Sequence, residues 1–382
     1  MTQATSTASA EPKGKTRAAD KLPDKTLIAW LRDMQLIREF ETRTQQAYQQ
    51  AKIGGFCHIY SGQEACAVGT IACLEPEDPV ITAYRDHGHA LARGMDPGAC
   101  MAEMFGKAAG CAKGKGGSMH MFDRPNHLYG GHGIVGAQTP LGAGLAFATK
   151  YELEVLKRRV DGGPAKPRIT LCYLGDGAID QGAFHEALNL AALYSLPVIY
   201  VIENNGYSMG TAIHRHTANP DNLISRGQAY GIKSVEIDGF DVRNVYNEFK
   251  PLADWCREAQ KPAFVDLKTY RYQGHSMSDP QKYRSKEEVD QWKGRDSIDA
   301  LAHHLMTPKA DGGRGCLTED EWKDMQKDIR SIVRDALEFA EKAEAPDPAT
   351  ELYSDVFINP LPNSSPIGQY TRGAVNPLLD RK

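Results

Sequence analysis

The sequence predicts an α/β fold, a mostly parallel sheet flanked by helices, and three observations carry that prediction. Arg168 to Leu174 is a continuous apolar run, as expected of a strand whose two faces are both covered. It stops at Gly175-Asp176-Gly177, after which Gln181 to Leu196 has helical periodicity. Pro197 to Ile202 is a second apolar run, so the segment spells strand, turn, helix, strand. That is one right-handed crossover between parallel strands.

The remaining elements follow in chain order. Met1 to about Leu22 is rich in Ala, Thr, Ser and Lys and has no apolar core of a secretory signal, so a disordered tail is expected over 1–24. A transit peptide is disfavoured by its single Arg17 and the acids Glu11 and Asp20. Leu27, Trp30, Leu31, Met34, Ile37 and Phe40 recur at helical spacing until Gly54-Gly55. Ser61-Gly62-Gln63-Glu64 has the form of a capping box opening a helix to about Leu74. Pro79 to Tyr84 reads as a short buried strand. Residues 106–144 are glycine-rich and keep no helix or strand pattern before Pro140; so long an irregular stretch implies a function. A helix is expected over Leu141 to Leu156, strands at Ser234 to Ile237 and Ala263 to Tyr270, and helices over 286–305 and 320–343. Thr318-Glu319-Asp320-Glu321 opens the last of them. One α/β domain over 25–345 and an extended C-terminal arm over 346–382 complete the expectation.

Composition narrows the function classes. The chain has 382 residues, 41% apolar and 25% charged, with a formal net charge of −4. No run of about eighteen apolar residues exists to span a membrane, and mild acidity gives no nucleic-acid surface. The eight cysteines are scattered without a C-x-x-C pair, which favours reduced, mostly buried thiols over disulfides or a zinc site.

The chemistry lies at the strand ends. Open parallel sheets place ligands at their carboxyl edge. Glycines in Gly175-Asp176-Gly177 let main-chain N–H groups approach phosphate, and Asp176 offers a hard oxygen for Mg2+. Glu203-Asn204-Asn205-Gly206-Tyr207 closes the next strand, 26 residues (178 to 203) lying between Gly177 and Asn204. A lone G-D-G is weak, but the pair at this separation, with a helix and a strand between, is specific. It resembles the thiamine-diphosphate motif, in which Asp176, Asn205 and the Tyr207 carbonyl hold Mg2+ against the diphosphate.

The resemblance extends through Phe56-Cys57-His58, Gly62-Gln63-Glu64-Ala65, Ala83-Tyr84-Arg85, the run Lys113 to Met121, Gly133 to Gln138 and the run Tyr270 to Asp279, from about residue 28 to 300. These segments are similar to the alpha subunits of the decarboxylating component of pyruvate dehydrogenase, in the thiamine-diphosphate-dependent 2-oxoacid dehydrogenase family. The resemblance implies a thiamine-diphosphate-binding fold with thiamine diphosphate and Mg2+ as cofactors. It implies oxidative decarboxylation of pyruvate and transfer of the acetyl group to a lipoyl domain of the dihydrolipoyl acetyltransferase core. Tyr84 and Arg85 would contact the diphosphate, with Gly177 and Ala178 beside Asp176; Gly133 and Val135 would meet the aminopyrimidine through their backbones. Met209 would prop the bent cofactor, and His275 would serve diphosphate binding and proton transfer. His58 stands open between substrate contact and structural histidine. His87, His89, His120 and His132 are taken as scaffold or rim, and Lys113 to Lys115 as a solvated or interface loop. The glutamate that protonates the pyrimidine belongs to the beta subunit in this family, so an alpha-two-beta-two heterotetramer is expected, inactive as alpha alone.

Competing readings are weaker. Gly131-His132-Gly133-Ile134-Val135-Gly136 spells the dinucleotide fingerprint, but that needs a buried strand immediately before it, and Arg124 to Tyr129 do not read as one. A P-loop fails because residue 109 is Ala and the Ser/Thr position is Gly116. A purely structural subunit would not need a cation constellation at two strand ends. Within the family, acetoin and branched-chain 2-oxoacid dehydrogenases share the cofactor motif, but Gly274-His275-Ser276-Met277-Ser278-Asp279-Pro280 looks like the pyruvate type. In mitochondrial relatives a serine matching Ser276 is phosphorylated. Two other regulatory positions differ here, at Ala212 and in the shorter Gln281-Lys282-Tyr283 loop. A bacterial cytoplasm is therefore expected ahead of a mitochondrial matrix.

Overall fold

A computed structural model describes residues 18–352 and 354–355. Six strands form one parallel sheet: β1 (Val80–Ala83), β2 (Leu128–His132), β3 (Thr170–Gly175), β4 (Val198–Asn204), β7 (Lys233–Asp238) and β8 (Ala263–Lys268), in the order β2-β1-β3-β4-β8-β7. The two remaining strands, β5 (Tyr207–Ser208) and β6 (Thr211–Ala212), pair as a small antiparallel hairpin. The helices are α1 (Asp24–Gln49), α2 (Glu64–Ile71), α3 (His87–Ala92), α4 (Pro97–Met104), α5 (Gln138–Tyr151), α6 (Gly182–Leu193), α7 (Ile224–Gln228), α8 (Val242–Ala259), α9 (Lys286–Lys293), α10 (Ser297–Met306), α11 (Glu319–Lys342) and α12 (Pro348–Glu351).

Side-chain alternation in the central strands explains why they read as unbroken apolar runs. Leu171 and Tyr173 of β3 join the core beneath α1, α2 and α8, whereas Cys172 and Leu174 join the opposite core beneath α5 and α6. Both faces are covered, so neither set can be polar. From β1 the chain moves to one side of the sheet and from β3 to the other. The crevice where these directions part is where such sheets bind ligands.

The helices and strands expected at 25–50, 79–84, 141–156, 168–174, 181–196, 197–202, 234–237, 263–270 and 320–343 are present with small boundary shifts. Thr318 accepts from the Glu321 N–H, and Glu321 caps the Thr318 N–H in return, so the box at α11 forms. Other expectations need correction. Ser61 caps nothing: Gln63 is the N-cap of α2 without a side-chain bond, and Glu64 turns back to the Gly62 N–H instead. The helix expected over 286–305 is two, α9 and α10, with Asp296 capping the second. Residues 1–17 of the expected tail lie outside the described residues. Ala18–Lys21 form a 3-10 turn, and the Ala19 N–H donates to Asn247 Oδ1 at 2.7 Å. Of the arm expected over 346–382, α12 is helical, and 353 and 356–382 lie outside the described residues.

Strand β2 is the larger correction. It runs Leu128–His132 beside β1, inside the stretch that reads as patternless. Its alternation is hidden because glycine fills positions with no room for a side chain; a Cβ on Gly131 would lie 1.9 Å from Asp86 Oδ2. A strand therefore does precede Gly133, and the dinucleotide reading falls on different ground. Gly131 lies within the strand, and β1 separates β2 from β3, so the crossover partner that would supply the ribose carboxylate is not adjacent. The α8 helix also escapes the sequence reading, although Val242, Val245, Phe249, Leu252 and Cys256 form its buried stripe. Pro251 sits within it and masks the pattern.

Among the described residues no helix is long and apolar enough to cross a membrane. All eight cysteines are free, six of them buried.

Candidate active site

A cavity of about 760 Å³ opens along the carboxyl edge of the sheet. Its walls come from the segments after five strands: Tyr84 and Arg85 after β1, Gly133 and Val135 after β2, Asp176 to Ala178 after β3, Asn205 and Tyr207 after β4, Arg271 and His275 after β8. Residues from across 192 positions of sequence (84 to 275) thus meet in one cavity because parallel strands end on the same side.

Asp176 immediately follows β3 and is 2% exposed. Its Oδ1 accepts from the Gly177 N–H at 3.0 Å, while Oδ2 is buried with no partner among the described residues. Burial pushes this carboxyl up to about 6. Asn205 Oδ1 accepts from the Tyr207 N–H at 3.2 Å. A carboxylate oxygen without a donor, a carboxamide oxygen and a main-chain carbonyl are the hard ligands that suit Mg2+, which takes one or two carboxylates and completes its shell with phosphate and water. Among the described residues no group of three His, Cys, Asp or Glu could hold a metal, so such a cation would rely on Asp176 plus uncharged oxygens.

Arg271, 1% exposed, has no part in the sequence reading yet organises this corner. Its Nη1 donates to Asn205 Oδ1 at 3.3 Å and Tyr207 O at 3.2 Å; its Nη2 donates to Met209 O at 2.5 Å and the Tyr283 hydroxyl at 2.7 Å. The Met209 side chain is exposed, on a residue with φ of 52°. That left-handed conformation is costly outside glycine and is held here through the Met209 carbonyl. Gly177 is required by close approach, since a Cβ there would come within 2.2 Å of Ser208 Oγ in the β5–β6 hairpin.

The opposite wall is built from rings. His58 and Tyr84 lie 4.5 Å apart, His58 and His275 4.9 Å, Tyr84 and His275 5.6 Å. His58 Nδ1 bonds to the His275 carbonyl at 2.7 Å, so Nδ1 carries the proton and Nε2 is left as an acceptor. Burial and then the nearby Arg85 hold His58 down at about 3; burial, Arg85 and Arg271 hold His275 down at about 4. Both are neutral at pH 7. Arg85 departs from a simple anion fork: Nη1 donates to Ile59 O at 2.7 Å and Nη2 to His275 O at 2.8 Å. Each of these nitrogens keeps a second N–H, and the cation stays charged at neutral pH although burial lowers it to about 10.

All ten expected cofactor positions and both catalytic candidates line this cavity, as do the three expected cation ligands. Glu203 and Gln63 line it too, and nothing in the motif logic singles them out. Glu203 accepts from the Tyr60 hydroxyl and faces His89 Nε2 at 3.2 Å. The signal for Glu203 was its position, a charged residue at the end of an otherwise apolar strand. His87 and His89 are fully buried, as scaffold histidines should be, while Lys113 and Lys115 are ion-paired to Asp355 and Glu351.

A doubly covered parallel sheet with a half-satisfied buried carboxylate and loops from five strands meeting in a cavity at its carboxyl edge has the architecture of a cofactor-binding α/β enzyme subunit. Residues 32–349 match the dehydrogenase E1 component family, and the chain belongs to it; this family is thiamine-diphosphate-dependent. It is 46% identical over 330 residues to the pyruvate dehydrogenase E1 component subunit alpha of Rickettsia felis, covering 86% of this chain and 95% of that protein. The Rhizobium meliloti subunit of the same name is 46% identical, covering 86% and 88%. The chloroplastic alpha-3 subunit of Oryza sativa is 40% identical, covering 86% and 75%.

Proposed function

We propose that the chain is the alpha subunit of a bacterial, cytoplasmic pyruvate dehydrogenase, the component that decarboxylates pyruvate and passes the acetyl group to a lipoyl domain. The carrying observation is the buried Asp176 Oδ2 without a partner, set beside Asn205 and Tyr207 at the carboxyl edge of the sheet. Asp176, Asn205 and the Tyr207 carbonyl would hold Mg2+; Tyr84, Arg85, Gly177, Ala178 and His275 would serve the diphosphate. Gly133 and Val135 would meet the aminopyrimidine, and Met209 would support the cofactor from below. Thiamine diphosphate, when bound, supplies the electron sink that a 2-oxoacid needs as it loses CO2 and that no side chain provides.

The chain's own groups prepare that chemistry. His58 and His275 are neutral, so each can accept a proton at an imidazole nitrogen without first losing one. The Arg85 and Arg271 cations draw anionic substrate and diphosphate toward the same cavity. The rim is apolar: Phe56 and Met209 are each 63% exposed and Ile134 78%. Such a patch at the mouth of a site calls for a covering partner, and a beta subunit in an alpha-two-beta-two heterotetramer is the partner we assign.

The test is pyruvate-dependent reduction of an artificial electron acceptor with thiamine diphosphate and Mg2+. Activity is expected only from this chain together with its beta subunit, and not from an Asp176→Ala pair. Robust activity of the chain alone would refute the shared site. Preference for acetoin or a branched-chain 2-oxoacid would overturn the substrate and leave the site standing.

A further inference from the structure

The segment carrying His58, residues 56–60, belongs to no helix or sheet, so its main-chain groups need other partners. They find most of them in side chains. Ser118 Oγ accepts from the His58 N–H at 3.3 Å, and Glu41 Oε1 accepts from the Tyr60 N–H at 2.8 Å. Arg85 donates to the Ile59 carbonyl at 2.7 Å, and the Met277 N–H to the Cys57 carbonyl at 2.9 Å.

Ser118 and Glu41 are joined through His87. Its Nδ1 lies 3.0 Å from each Glu41 oxygen, and its Nε2 lies 2.8 Å from Ser118 Oγ and 3.0 Å from Ser118 O. Glu41 sits in α1, His87 opens α3, and Ser118 lies in the 3-10 turn Gly117–Met119. The spacing is that of a serine–histidine–acid triad. A hydrolytic role is excluded by burial: Glu41 and His87 are 0% exposed and Ser118 is 2% exposed. Its Oγ, moreover, already accepts from His58. The chain instead ends on the main chain of the residue whose ring faces the cavity.

We infer that the buried Glu41–His87–Ser118 chain is a positioning device for His58, fixing the backbone of 58–60 so that its ring presents Nε2 to the substrate. This rests on the proposed 2-oxoacid chemistry of the site. Glu41, His87 and Ser118 touch neither the Asp176–Asn205 corner nor Gly133 and Val135, and the segment they hold meets the diphosphate side only through Arg85, Tyr84 and His275, so the effect on substrate should exceed that on cofactor binding.

The variant Ser118→Ala isolates the contact, because His87 Nε2 keeps the Ser118 carbonyl while the His58 N–H loses its acceptor. Glu41→Gln is the second variant: one amide oxygen can still take the Tyr60 N–H and His87 Nδ1, but without the charge that strengthens both bonds and with an NH2 group where the second oxygen met His87. Both are measured in the alpha–beta assembly. Loss of the acceptor in Ser118→Ala should speed amide exchange in a 56–61 peptide and raise KM for pyruvate, each by about tenfold, and the weakened acceptor of Glu41→Gln should do both to a smaller degree. The Kd for thiamine diphosphate, followed by intrinsic fluorescence, should rise less than KM, by about twofold to threefold, because the segment shares Arg85 and His275 with the diphosphate side. Unchanged exchange overturns the inference, and so does faster exchange with an unaltered KM, or a cofactor Kd that rises in step with KM. A wild-type assembly inactive on pyruvate would sink the proposed function itself, while amide exchange would still decide whether the chain holds 58–60.

Discussion

Two buried carboxylates, Asp176 at the end of β3 and Glu103 in α4, have similar surroundings and opposite states of satisfaction. Glu103 is fully buried, and both its oxygens are filled: Ala112 and Gly114 donate to Oε2 at 2.7 and 2.9 Å, Gly116 and Gly117 to Oε1 at 2.8 and 3.0 Å. The irregular 110–117 loop wraps around this anion, and glycine is what lets it close; a Cβ on Gly110 would lie 2.4 Å from Glu103 Oε2. Asp176 keeps one oxygen empty of donors. A carboxylate with four main-chain donors is a structural pin, whereas one left half-satisfied in a cavity is disposed to take a ligand.

Substitution at each should therefore fail in different ways. Asp176→Ala is expected to lower pyruvate-dependent activity of the alpha–beta assembly by about 10³-fold. The cofactor-free fold should lose nothing. The Asp176 carboxyl is raised above its unfolded value, so its contribution to stability is present below pH 3.8 and is lost as pH rises through about 6. A drop in the thermal midpoint of cofactor-free Asp176→Ala would break the comparison. Glu103→Gln should do the reverse, costing about 3 to 5 kcal/mol in urea unfolding because one carboxamide oxygen cannot serve four N–H groups. A variant as stable as wild type would show that the loop closes without its pin.

The histidine wall sharpens the contrast, because His58 avoids buried charge by staying neutral. Its folded value, about 3, is depressed from 6.5, so its stabilisation is complete above pH 6.5 and is lost as pH falls toward 3. His58→Gln should flatten the acid limb of a urea-midpoint profile between pH 6.5 and 5 by up to about 1.4 kcal/mol per pH unit. Parallel limbs for the two proteins would mean His58 is not held neutral. The smallest effect belongs to the exposed ion pairs of Lys113 with Asp355 and Glu351. Lys113→Ala should leave the thermal midpoint unmoved at physiological salt, since solvent screens both partners.

The positions of the candidate ligands in the cavity were legible because they sit at fixed offsets from strands that announce themselves. Asp176 and Asn205 close two apolar runs, and their distance along the chain is one helix and one strand. Strand β2 was not legible, since Gly130 and Gly131 stand where an alternating strand would show apolar side chains. Arg271 was visible only as a letter in a run. Its role depends on β8 ending beside β4, which pairing in the sheet decides and spacing does not.

The sequence by itself determined the parallel sheet, its central strands and the chemical type of the groups at their ends, because burial on both faces and a change from strand to helical period are local signals. Tertiary structure alone decided which polar groups are satisfied. Glu103, between Ala102 and Met104, and Asp176, between two glycines, are each a lone acid in the sequence; only the folded chain brings four N–H groups to one and leaves the other an open oxygen, because hydrogen-bond saturation depends on neighbours in space.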